Sequence, residues 1–135
     1  MPLKDVRKII DYWIRSADKD WTVVRSLWRQ KHFIHVLITG HLAIEKYIKA
    51  LVVWKTREHA PFGHDLLYLL GKTDMELEKE DESVLRAISN FQGQGRYPDW
   101  ELKYYDLVDE AYTVHYFKEM ERLRKWFKSE LSKKS

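Results

Sequence analysis

Residues 33–57 read FIHVLITGHLAIEKYIKALVVWKTR, and a helix drawn through them is apolar on more than one side. Ile34, Leu37, Ile38, Leu42, Ile44, Tyr47, Ile48, Leu51 and Val52 supply those faces. Such a helix lies at the centre of a bundle or at an interface. Gly40 stands in its middle, where glycine costs about 1 kcal/mol against alanine. A close helix crossing offsets that cost.

On the N-terminal side, Val6, Ile10, Trp13, Ala17, Val24, Leu27 and Trp28 recur at helical spacing. Lys8, Asp11, Arg15, Asp18, Lys19 and Arg25 fall between them and are expected mostly to face water. The pattern predicts a helix from Lys4 to Gln30, roughly 40 Å long at about 1.5 Å per residue. On the C-terminal side, Pro61 and Gly63 punctuate a break over Glu58–Gly63. Asp65 is placed to cap a short helix, Leu66–Leu70, which Gly71 ends. Lys72–Glu82 is strongly charged and reads as partly helical or as a loop. A further helix follows over Asp81–Gln92, with Val84, Leu85, Ile88 and Phe91 inside. Gly93–Lys103 is expected to be a loop, from Gly93, Gly95 and Pro98. The last helix begins between Asp109 and Val114, capped by Asp109 or Thr113. Phe117, Met120, Leu123, Trp126, Phe127 and Leu131 form its apolar side. No β pattern and no repeat interrupts this series.

The expected fold is therefore all-α: an up-and-down bundle of four to five helices in a single domain spanning residues 1–135. The apolar girth of the second long helix exceeds what one small bundle is expected to hide, which argues for a homodimer through long helices. Cysteine is absent, which excludes disulfides, thiolate catalysis and cysteine-based zinc sites. The net charge of +3 is too small to argue for nucleic acid by itself. Met1–Arg15 is charged and amphipathic, unlike a signal peptide. The longest stretch without Lys, Arg, Asp or Glu, His32–Ile44, is too short to span a bilayer. The expectation is a soluble cytoplasmic protein without a membrane partner.

Three segments together resemble the HEPN family. His41-Leu42-Ala43-Ile44-Glu45-Lys46-Tyr47-Ile48-Lys49-Ala50-Leu51 is similar to its apolar helix carrying Glu-Lys and then Lys-Ala. Pro61-Phe62-Gly63-His64-Asp65-Leu66 is similar to its His and Leu before a short helix. Arg96-Tyr97-Pro98-Asp99 resembles a motif of the branch encoded beside minimal nucleotidyltransferases. The resemblance implies a helical bundle that dimerises. It implies one of two activities: a metal-independent ribonuclease, often a toxin, or a non-catalytic or nucleotide-binding partner of a nucleotidyltransferase. The ribonuclease branch carries Arg, four to six residues, then His, late in the chain. Here Arg96 is followed by Tyr-Pro-Asp-Trp-Glu-Leu-Lys, and His115 lies too far along. The expected function is a dimeric binding module in a toxin–antitoxin-like pair with a minimal nucleotidyltransferase, with a nucleotide or RNA as ligand. The competing reading is a ribonuclease using Arg96 with a His brought near by folding, His64 or His41.

The candidate ligand-binding residues are Arg96, Tyr97, Trp100, Lys46, Lys49 and His64; no catalytic residue is assigned. Arg96 can grip a phosphate bidentately while Tyr97 and Trp100 stack on a base; the plainer role is a loop pinned by its rings, with Asp99 pairing Arg96. Glu45 and Lys49 stand i,i+4 apart, which gives either an ion pair worth about 0.2–0.5 kcal/mol or an ammonium set at a phosphate cleft. His64-Asp65 reads as an acid–base pair, or as a cap beside a locally bonded histidine. His32 with His35, and His59 with His64, are close enough to share a metal, but neither pair has an evident third ligand. No metal and no cofactor is expected. Lys118, Arg122, Lys125 and Lys128 form a basic stripe, read as a solvated face.

Overall fold

In a computed structural model, residues 4–91 and 108–133 are described. They form five helices: α1 Val6–Arg29, α2 Phe33–Thr56, α3 Leu66–Leu70, α4 Lys79–Ser89 and α5 Glu110–Leu131. No strand occurs among the described residues, so the all-α bundle expected from the periodicity is the fold.

α2 is the centre. It packs most extensively on α1 and α5, and also on α3 and α4. The apolar girth that argued for a second copy is largely covered inside the chain: Leu37, Ile44, Tyr47, Ile48 and Leu51 are all fully buried. Leu42 is the exposed large apolar side chain on this helix. Gly40 makes room for a side chain of α5, since a Cβ there would come within 2.5 Å of the Met120 Sδ and Cε. The mid-helix glycine thus serves a tight crossing, as its position suggested.

Side chains and backbone set the helix ends. Asp109 accepts from the Tyr112 amide at 2.9 Å and starts α5; Thr113, the other cap considered, instead donates its hydroxyl to the Asp109 carbonyl. α2 stops at Arg57, whose left-handed backbone (φ 62°) lets its amide bond the Val53 carbonyl. Across the bundle, the buried Tyr47 hydroxyl donates to Asp18 and accepts from Arg124 Nε at 3.1 Å. Burial first, and the Asp18 carboxylate second, hold the Tyr47 phenol well above its ordinary range. Asp18, expected on the wet face of α1, therefore joins α1 to α2 and, through Lys128 at 3.1 Å, to α5.

Candidate functional site

His41, Glu45 and Lys49 follow one another at intervals of four on α2 and so share a face. Glu45 is buried, 3% exposed, and its carboxylate is the hub of the cluster. Oε1 lies 3.1 Å from His41 Nε2 and accepts from His64 Nδ1 at 2.6 Å. Oε2 faces Lys49 Nζ at 3.1 Å, and that ammonium also sits 5.2 Å from the centre of the Trp13 ring. The second nitrogen of His41, Nδ1, donates to the Ile88 carbonyl at 2.9 Å, near the C-terminus of α4.

His64 reaches the cluster from the loop between α2 and α3. The Asp65 side chain accepts from the Tyr68 amide at 3.1 Å and starts α3. The Leu66 amide donates to Ser89 Oγ at 3.1 Å, tying this loop to α4. Two anchors next to His64 therefore fix where its imidazole enters. Its side chain remains 55% exposed. A carboxylate only accepts, so His64 Nδ1 carries the proton toward Glu45 and Nε2 points away from that bond.

Burial opposes ionisation of Glu45. The hydrogen bonds from His41 and His64 and the charges of Lys49 and His41 outweigh it and hold its pKa at about 2, down from 4.5.

Residues 10–131 match the HEPN domain family model. The chain belongs to the HEPN family. No curated protein and no solved structure matches it. The match covers all of this cluster, and the two segments that supply it, 41–51 and 61–66, are two of the three whose resemblance to HEPN proteins is visible in the sequence.

The HEPN fold distributes the candidate residues unevenly. His64 and Lys49 meet at Glu45. Lys46 does not join them: its ammonium lies 2.7 Å from Asp20 Oδ2 and donates to Ser16 Oγ, also at 2.7 Å, fastening α2 to α1. Arg96, Tyr97 and Trp100 lie outside the described residues. His64 bonds neither Asp65 nor His59; its carboxylate comes from a residue 19 positions earlier. His41, weighed as the histidine of a ribonuclease, is 1% exposed with both nitrogens engaged, so it cannot meet a substrate. The basic stripe of α5 is largely paired: Arg122 contacts Asp81 at 2.9 Å and Glu119 at 2.8 Å. Sequence reading missed the role of His41 and Glu45 as partners. Their i,i+4 spacing was the available signal.

Because the folded carboxyl of Glu45 titrates below its unfolded value, its contribution is complete above about pH 4.5 and disappears as the pH falls through about 2. That contribution amounts to about 3 kcal/mol. Urea denaturation of wild type and Glu45→Gln across this window is expected to show a shallower acid loss in the variant by that amount. Parallel curves would remove Glu45 as the source.

Proposed function

We propose that this HEPN protein is a dimeric binding module that partners a minimal nucleotidyltransferase and takes a nucleotide or RNA phosphate at His64. The observation that carries the ligand reading is the held, outward-facing imidazole. Glu45 fixes Nδ1 at 2.6 Å while more than half of the side chain stays open to solvent. With Nδ1–H bonded to Glu45, Nε2 is the nitrogen left to meet a ligand, and it donates to an anionic oxygen when it carries a hydrogen. Phe62, two residues away and 99% exposed, offers a ring face for a base. Arg96, Tyr97 and Trp100 complete the proposed contact set. Lys49 supports it by holding Glu45, and Lys46 by fastening the helix.

The partner rests on the resemblance of Arg96–Asp99 to the nucleotidyltransferase-associated branch. The dimer rests on Tyr12 and Val23, exposed large apolar side chains 11 residues apart and thus on one face of α1. A cytoplasmic setting accords with both. Among the described residues no helix is long and apolar enough to cross a membrane.

Calorimetry with nucleotides and short RNA is expected to show binding that His64→Ala and Arg96→Ala each weaken roughly 10–100-fold, the worth of a hydrogen bond to a charged group. Unchanged binding in His64→Ala would sink the site. Co-expression with a minimal nucleotidyltransferase, followed by affinity capture, tests the partner, and light scattering tests the dimer.

A second reading is favoured by the same pairing. A buried carboxylate behind an exposed imidazole is the arrangement of an acid–base catalyst, so His64 with Arg96 would serve a metal-independent ribonuclease. Cleavage of structured RNA that survives EDTA and is lost in His64→Ala would establish it; inert RNA at high protein concentration would end it.

A further inference from the structure

His41 is oriented by a bond that leaves its other nitrogen aimed at a carboxylate. The Ile88 carbonyl can only accept, so Nδ1 of His41 bears a hydrogen and Nε2 is the nitrogen presented to Glu45 Oε1 at 3.1 Å. A neutral ring in this tautomer turns a lone pair toward the lone pairs of the carboxylate. The contact is favourable only with a cation between them, either a proton or a metal ion. The same Oε1 receives His64 Nδ1. The three ligand atoms all lie within 4.8 Å of one another, and two of the three residues are buried.

We infer that His41 Nε2, Glu45 Oε1 and His64 Nδ1 form a three-ligand site for a divalent cation of the zinc class. Two imidazoles and one carboxylate suit such an ion in charge and softness. With metal–ligand bonds of about 2.0–2.1 Å, tetrahedral ligands stand roughly 3.3 Å apart, so the Glu45 contacts at 3.1 and 2.6 Å must open slightly while the two nitrogens, within 4.8 Å of each other, settle to that spacing. His64 supplies the adjustment. Its side chain is the exposed member of the three, and it follows Gly63, whose backbone has φ +130° and open space around its Cβ position. The surroundings are those of metal-bound histidine and carboxylate: a backbone carbonyl behind His41 and the Lys49 ammonium on the other oxygen of Glu45. That ammonium leaves Glu45 one oxygen for the ion. The ion clamps the 57–65 loop onto α2 and α4, and it displaces a proton from each imidazole that holds one at the coordinating nitrogen.

The inference shares His64 with the phosphate reading but does not depend on it, and its test contains no nucleotide. Co²⁺ is titrated into the full-length protein, followed by visible absorption, then displaced by Zn²⁺; Zn²⁺ calorimetry is repeated in buffers of different ionisation enthalpy. One Co²⁺ per chain with intense d–d bands, displacement by Zn²⁺, net proton release and a raised Tm are expected. His64→Ala is expected to bind at least about tenfold more weakly, as is Glu45→Gln, while His32→Ala with His35→Ala leaves binding unchanged. Circular dichroism checks that each variant folds, and His64→Ala, altered at an exposed position, carries the test if Glu45→Gln does not. Absence of d–d bands at millimolar Co²⁺, or binding that survives His64→Ala and falls with the His32 and His35 pair, overturns the site. Metal binding without nucleotide binding leaves this inference standing and removes the phosphate reading; the reverse result does the opposite.

Discussion

Glu45→Ala is expected to destabilise the protein by about 3–5 kcal/mol, the cost of removing one member from a buried, ion-paired cluster. The carboxylate faces His41 Nε2, His64 Nδ1 and Lys49 Nζ at once. These three do not suffer equally when it goes. His64 is more than half exposed and turns to water, and the Lys49 side chain, 12% exposed, is long enough to carry its ammonium toward solvent. His41 has no such exit: it is 1% exposed, and the Ile88 carbonyl holds its other nitrogen. The loss is therefore concentrated at His41, and replacing His41 and Glu45 together by leucine is expected to cost less than Glu45→Ala alone. His64→Ala, by contrast, is expected to cost about 1 kcal/mol or less, as exposed pairs do, which keeps the functional tests on that variant interpretable. Urea denaturation with a constant m-value measures all three. A Glu45→Ala loss below about 1 kcal/mol would show that the carboxylate does not hold this cluster together.

What was legible in the sequence was local. The Asp65 cap, the short helix ending at Gly71, the Asp109 cap and the stripe of α1 each depend on residues within one or two turns, and each stands where the pattern placed it. α4 begins at Lys79 rather than near Asp81 because Glu80, Asp81 and Glu82 favour the positive end of a helix and so sit in its first turn. The girth of α2 was legible as well, but not what covers it. The short α3 and α4 are folded back onto α2 along with α1 and α5, a tertiary choice that periodicity does not encode. The site failed in the same way. His64 has a carboxylate next to it in sequence, Asp65, and receives instead the one that α2 carries 19 residues earlier. Asp65 was already committed to the backbone of α3, and only a buried carboxylate from another element could hold the imidazole from behind.

Trp21→Ala is expected to cost about 3–5 kcal/mol, as loss of a large buried ring does, and Trp21→Phe less than about 2 kcal/mol. The Trp21 ring is 1% exposed and lies 5.6 Å from Phe117 at 18°; Phe117 in turn lies 5.1 Å from Trp28 at 16°. Two rings of α1 thus grip one ring of α5, with the Arg124 guanidinium 5.7 Å from the Trp21 ring centre. Alanine removes the first ring of that stack and leaves a cavity next to α5. Phenylalanine keeps an aromatic face against Phe117 and also removes a liability, because the indole Nε1 is buried and has no hydrogen-bond acceptor among the described residues. An unsatisfied buried donor costs about 1–3 kcal/mol, which offsets part of the area lost with the second ring. Equal losses for the two variants would mean that the indole nitrogen contributes to stability through a bond of its own, and that the stack contributes less than its geometry suggests.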